Sequence, residues 1–122
     1  MEMKIELVAV PVSDTDRALE FYKKIGFTVD HDHSVKPGLR FVQLTPPGSA
    51  CSIVIGEGTT EMEPGTQKGL QMVIKDAQAA HKELTALGVK TSEVQEMPWG
   101  IFVFFSDPDG NTWALQEIIQ AS

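Results

Sequence analysis

The residues whose types could do chemistry fall in three places. Asp107, Asp109 and Glu117 lie within "FFSDPDGNTWALQE", and carboxylates can ligate a cation or act as a general acid/base pair. His31 and His33 stand two apart in "DHDHS". In a strand, that spacing puts two neutral imidazoles on one side of the pleat, where they can chelate a metal, and turns Asp30 and Asp32 to the other side. No third ligand is evident, and the plain alternative is a polar, exposed strand with titratable histidines. Cys51 has no neighbour in sequence that would lower its pKa, so it reads as core-like rather than nucleophilic. Ser52 lacks the G-x-S-x-G context of a nucleophile elbow, and "GEGTTEMEPG" matches neither a P-loop nor a dinucleotide fingerprint.

Placing these residues requires the elements around them. "KIELVAVPV" reads as a strand from Lys4 to Val12, followed by a helix in "SDTDRALEFYKKIG" that Ser13 or Asp14 can cap. Ala18, Tyr22 and Ile25 make its apolar stripe and Gly26 ends it. "FTVDHDHSV", "LRFVQLT" and "ACSIVIG" are three strands. The aperiodic stretch Gly56 to Lys68 is a loop, either a cover for a cavity or a linker. "LQMVIK" is then a strand and "DAQAAHKELTALG" a helix, with His81 at the border of its stripe. "VKTSEVQ", "IFVFFS" and "NTWALQEI" are three further strands. In this frame Asp107-Pro108-Asp109-Gly110 has the chemistry of a turn. Glu117 is an odd number of residues from Ala114, so it points to the opposite face and reads as structural or solvated.

Strand, helix and three strands thus occur twice. Gly26 and Gly88 are 62 residues apart, and so are Gly48 and Gly110, Asp14 and Asp76, Val12 and Ile74, Ala18 and Ala80, Ile25 and Leu87, Gly38 and Gly100, Pro46 and Pro108, and Ile53 and Leu115. One gapless offset implies a duplication, with module one at about 1–56, a connecting loop at 57–68 and module two at 69–122.

The chain has 122 residues, 42% of them hydrophobic, which suffices for a real core. A net charge of −7 argues against a nucleic-acid or anionic-membrane surface. The lone cysteine rules out an intrachain disulfide and fits a reducing, cytoplasmic setting. No apolar run is long enough to span a bilayer, and "MEMKIEL" is too charged for a signal peptide.

Two βαβββ modules, one opened by "PVSDTDRALEFYKKIGF" and the other closed by "FSDPDGNTWALQE", resemble the vicinal oxygen chelate superfamily of glyoxalase I, bleomycin-resistance proteins and extradiol dioxygenases. The resemblance covers essentially the whole chain. It implies an α+β fold: two tandem modules forming curved mixed sheets, helices on the convex side and a ligand on the concave face. It also implies a homodimer. Metal-dependent members carry His or Glu at a position on the first and last strand of each module. Those positions correspond here to Leu7, Ser52, Gly69 and Ala114, none of which suits a transition metal. The resemblance therefore points to a metal-free protein like the bleomycin-resistance proteins, with no cofactor.

Alternation from those positions assigns Leu7, Ala9, Ser52, Val54, Gln71, Val73, Thr112, Ala114 and Gln116 to the concave face. Gln43, Trp99 and Phe102 join the wall, Trp99 either stacking on a ligand or covering the core. Such a lining suits a small, partly apolar organic ligand. The alternative is a metal-dependent glyoxalase-like lyase or isomerase, or a dioxygenase. It would build a divalent-metal site from residues such as His31 and His33, or work through Glu57, Glu61 or Glu63 without metal. A third reading is an interaction domain without a ligand.

Overall fold

In both halves of the chain a strand leads through a capped helix into three further strands. The computed structural model describes residues 1–119, so the last three residues of the expected second module lie outside the described residues. The elements are β1 (Leu7–Ala9), α1 (Thr15–Lys24), β2 (Thr28–Lys36), β3 (Leu39–Thr45), β4 (Ser52–Glu57), β5 (Leu70–Ile74), α2 (Ala77–Ala86), β6 (Gln95–Met97), β7 (Gly100–Ser106) and β8 (Thr112–Glu117). They form two four-stranded mixed sheets, ordered β1-β4-β3-β2 and β5-β8-β7-β6. In each, the first strand runs parallel to the last and the other pairings are antiparallel. Contacts divide the chain into Met1–Gln67 with Pro108–Asn111, and Lys68–Asp107 with the chain from Thr112 onward.

In the first unit Asp14, extended at φ −135° and ψ 104°, caps α1 by accepting from the Arg17 N–H at 3.1 Å. Ser13, the other cap candidate, is engaged elsewhere: its N–H and hydroxyl donate to the two carboxylate oxygens of Asp109 at 3.2 and 2.6 Å. Helix α1 buries Thr15, Ala18 and Tyr22. Val42, Leu44 and Ile55 are fully buried and Ile53 nearly so, and their register puts all four on one face of the sheet, the face that α1 covers. On the same face Arg40 donates from Nε and Nη2 to the Asp32 carboxylate at 3.0 and 2.9 Å, and from Nη1 to Asp16 of α1 at 2.8 Å. This fork ties the β2–β3 hairpin to the helix.

The turn at 108–111 belongs to this unit. Besides the Asp109–Ser13 pair, Arg17 donates to the Pro108 carbonyl at 2.5 Å. Asn111 is fully buried, donates to the Pro11 carbonyl at 2.8 Å and accepts from the Gln67 N–H at 3.1 Å. Its polar atoms are matched to backbone groups of Pro11 and Gln67 that would otherwise be costly to bury.

In the second unit Asp76 caps α2 by accepting from the Ala79 N–H at 3.0 Å. Glu117, on β8, accepts from the Ala77 N–H at 2.8 Å. Its carboxylate therefore sits at the positive end of the helix, a structural role that agrees with the sequence expectation.

Several expectations need correction. The first strand spans Leu7–Ala9 rather than Lys4 to Val12: the parallel pairing begins where β4 begins, with Leu7 opposite Ser52, and it stops short of Pro11, which has no N–H to give a ladder. Of "VKTSEVQ" only Gln95 is strand, as the first residue of β6, and Thr91 makes one isolated bridge to Phe105. There Ser92 intervenes: its hydroxyl accepts the Phe104 N–H at 2.9 Å, replacing a backbone rung. A register shift between Val29 and His31 frees Asp30 from alternation, and its carboxylate accepts from the Thr45 hydroxyl instead of following Asp32.

The repeat itself stands, but not at one gapless offset. It is 62 residues at the helices, Thr15–Lys24 against Ala77–Ala86. The pair Val42↔Ile55 has Val103↔Leu115 as counterpart, 61 residues on at the third strand and 60 at the fourth. Gly38 and Gly100 accordingly part company: Gly38 lies in the β2–β3 turn, whereas Gly100 opens β7 after the turn Pro98–Trp99.

Two outcomes follow for stability. The Arg40 guanidinium holds the Asp32 carboxyl below the usual carboxylate range, first through the hydrogen-bonded fork. A depressed folded pKa stabilises above the unfolded value of about 3.9 and loses that contribution as pH falls through the folded value. Arg40→Met is therefore expected to cost about 1 kcal/mol at pH 7, with the difference from the parent shrinking below pH ~4 in urea unfolding. Gly65 has φ +79°, and a Cβ there would lie 2.2 Å from the Asp109 carbonyl oxygen. Gly65→Ala is expected to lower stability by at least ~2 kcal/mol, read from the same unfolding curves.

Candidate functional site: the helix-free sheet faces

Each sheet has one face under its helix and one without, and register decides which side chains the helix-free face receives. In the first unit Leu7 lies opposite Ser52, and Ala9–Val54–Gln43–His31 form a row across β1, β4, β3 and β2. Phe41 and His33 pair in the next row. The five expected residues Leu7, Ala9, Gln43, Ser52 and Val54 therefore do share a face. Leu7, Ala9 and Gln43 are half-buried, while Ser52 and Val54 are buried.

The polar part of this face is a chain of three groups. Thr45 donates to Asp30, so its single proton is spent, and the 2.6 Å contact between Thr45 Oγ1 and Ser52 Oγ must be donated by Ser52. Ser52 is only 4% exposed, and no base accepts its proton directly. That is the arrangement of a satisfied buried hydroxyl rather than of an activated nucleophile. The thiol of Cys51 is half-buried and contacts the Ser52 carbonyl at 3.6 Å.

In the second unit the rows are Gln71–Ala114–Phe104 and Val73–Gln116–Phe102–Gln95, with Thr112 opposite Ser106. All the expected strand residues here, Gln71, Val73, Phe102, Thr112, Ala114 and Gln116, fall on the helix-free face. The edge strand leaves Val73 65% exposed. Gln71 donates its amide to Gln116 Oε1, and Gln116 Nε2 donates to the Trp99 carbonyl at 2.9 Å. One amide is thereby fixed in orientation at the centre of the face. Trp99 does not cover the core: it stands in the β6–β7 turn with its side chain 65% exposed.

Phe104 was missed as a wall residue, although alternation from Phe102 would have reached it. The two rings stack with centroids 5.7 Å apart and planes 1° from parallel. Thr45, Asp30 and Phe41 were also missed. Alternation from Gln43 would likewise have reached Phe41 and Thr45, whereas Asp30 comes to this face only through a bulge, which is not written in local sequence.

The positions that the family resemblance assigns to metal ligands hold Leu7, Ser52, Gly69 and Ala114. Register adds a correction: Ala114 pairs with Gln71 rather than Gly69, while the Gly69 N–H donates to the Thr112 hydroxyl at 2.7 Å. Because the drift amounts to two residues, the face is preserved. The imidazoles of His31 and His33 and the carboxylate of Asp30 stand apart on β2 of the first unit, whereas Leu7, Ala9, Ser52 and Val54 there, and Gly69, Gln71, Thr112 and Ala114 in the second unit, offer no imidazole, carboxylate or thiolate. This donor set does not fit a transition metal. Among the described residues, no three or more His, Cys, Asp or Glu side chains are grouped to hold an ion.

A separate depression of about 610 Å³ lies at the start of α2, lined in part by Lys75, Asp76, Glu96 and Glu117. The helix N–H groups there are already accepted by Asp76 and Glu117.

Comparison with known proteins agrees with this architecture. The model of the glyoxalase/bleomycin resistance protein/dioxygenase superfamily matches residues 4–115. An uncharacterised Bacillus subtilis protein, YetH, is 30% identical over 122 residues, covering 96% of this chain and all of that one. The crystal structure of TnmS3, an antibiotic binding protein from Streptomyces sp. CB03234, superimposes with a TM-score of 0.88 at 33% identity, over 97% of this chain and 98% of that one. A superfamily member from Sphaerobacter thermophilus has a TM-score of 0.83 at 33% identity, over 94% and 97%.

Gly100 sets the position of the Gln116 amide: a Cβ on it would lie 2.6 Å from Nε2 and 3.0 Å from Cγ. Gly100→Ala is expected to leave the fold intact and push this amide off the Trp99 carbonyl. Displacement of the Gln116 side-chain amide resonances in a ¹⁵N-correlated NMR spectrum, with the rest of the spectrum largely unchanged, would register it.

Proposed function

The chain belongs to the glyoxalase/bleomycin resistance protein/dioxygenase superfamily, and from that premise we propose that it is a small-molecule-binding protein working by non-covalent capture without the superfamily's metal. The observation that carries this reading is the composition of the helix-free faces. Leu7, Ala9, Val54, Val73, Phe102, Phe104 and Ala114 supply apolar area, while Gln43, Gln71 and Gln116 supply oriented or orientable amides. Apolar walls with a few placed polar groups suit a small, partly apolar organic ligand. Superfamily chemistry that needs a Lewis acid would require donors these positions lack. The likeness to an antibiotic binding protein supports a ligand of that general kind.

On this reading residues 1–56 and 69–122 are the two modules of one binding domain, joined by 57–68, and the protein acts as a homodimer in the cytoplasm. The half-buried lone cysteine, Cys51, and the net charge of −7 are compatible with that setting. Among the described residues no helix is long and apolar enough to cross a membrane.

Native mass spectrometry of freshly isolated, tag-free protein is the direct test, followed by a thermal-shift screen of small, partly apolar antibiotics. The expected result is a dimer mass without a retained transition metal. A binding compound at a hundredfold excess over its Kd should add about 2.7 kcal/mol of stability. A stoichiometric transition metal retained through isolation would overturn the metal-free reading in favour of a lyase or dioxygenase.

A further inference from the structure

The geometry points to a second site, independent of the small-molecule reading: His31 and His33 on β2 form a two-imidazole chelate for a divalent transition metal such as Zn²⁺. All nine residues of β2 are exposed, and the strand is an edge of its sheet. Both histidines point to the helix-free face, opposite Gln43 and Phe41. Their ring centroids are 5.7 Å apart with planes 25° from parallel. A tetrahedral ion with two imidazole nitrogens at about 2.0–2.1 Å separates the ring centroids by roughly 5 Å, so the spacing of the pair suits one ion once a ring turns about its side-chain bonds, which the exposure of the strand permits.

The neighbouring acids are already committed. Asp32 accepts from Arg40 on the opposite face, and Asp30 accepts from Thr45. Among the described residues no third His, Cys, Asp or Glu is grouped with the pair, so water fills the remaining positions of the shell. Imidazole-only ligation with water selects Zn²⁺, Ni²⁺ or Cu²⁺ over Mg²⁺ or Ca²⁺, which prefer oxygen. The chain's net charge of −7 favours accumulation of cations near its surface. Of the three histidines, His81 is engaged differently, its Nδ1 lying 2.8 Å from the Thr91 hydroxyl, and serves as the control.

An ion held by two protein ligands exchanges away during isolation. Metal retained by the isolated protein and metal bound on titration therefore distinguish this site from the metal question above. Calorimetric titration of tag-free protein with zinc chloride is expected to show one saturable site per chain, with magnesium chloride giving none. His31→Ala and His33→Ala should each weaken it at least about tenfold, and His81→Ala should not. Because β2 is solvent-exposed these variants should fold, as circular dichroism would report; His31→Gln and His33→Gln repeat the test with the polar bulk kept. No saturable zinc binding, less than tenfold weakening in either strand variant, or an equal loss in His81→Ala overturns the site.

Discussion

The parallel pairing of the first strand of each module with its last is the constraint from which the other features derive. A parallel neighbour cannot be reached by a tight turn, so the chain must cross over through a helix and two intervening strands before it returns. That crossover lays α1 on one face of the first sheet and α2 on one face of the second. It also sets Leu7 opposite Ser52 and Gln71 opposite Ala114. Each sheet then has a face sealed by its helix and a face left for other work. Parity then decides which side chains reach the helix-free face of each sheet.

The two faces are chemically distinct. Beneath α1 the residues are aliphatic and fully buried, with Tyr22 packed on Phe27 at 5.1 Å between centroids. The charged groups at the margin of that face are matched to one another, as in the Arg40–Asp32–Asp16 fork. The helix-free faces mix small apolar side chains with amides and hydroxyls whose partners lie within the same face. Ser52–Thr45–Asp30 and Gln71–Gln116–Trp99 are such chains. A surface of this kind presents fixed donors and acceptors beside apolar area. Among the described residues the one buried hydroxyl of the first face, Ser52, has no base accepting its proton directly.

Two of the acids near the end of the chain, Asp109 and Glu117, are architecture, as is the neighbouring amide Asn111. Asp109 satisfies Ser13, Glu117 satisfies the start of α2, and Asn111 ties Pro11 to Gln67. Their side chains replace hydrogen bonds that backbone groups would lose on burial. The turn chemistry of Asp-Pro-Asp-Gly was legible, but the partners were not: Ser13 and Asp109 are 96 residues apart in sequence. The two histidines present the opposite case. Their common facing was legible from spacing two, while the proximity of their rings required the strand to be placed.

By itself, the sequence determined the order of elements, both helices and the duplication, with Ser13 and Asp14 both open as the cap of α1. These follow from local signals: capping chemistry, period, and residue type at a counted position. Parity is robust as well, because a slip of two residues leaves every side chain on its face. This is why the expected wall residues share the helix-free faces even though the offset drifts from 62 to 60. Tertiary structure alone decided where strands stop, as at Leu7 and Gln95, and that a bulge turns Asp30 toward Thr45. It also decided that Trp99 faces solvent and that Phe104 joins Phe102. In each of these the deciding atom belongs to a strand distant in the chain. The presence or lack of a cross-strand partner is a property of register, and no window of neighbouring residues contains it.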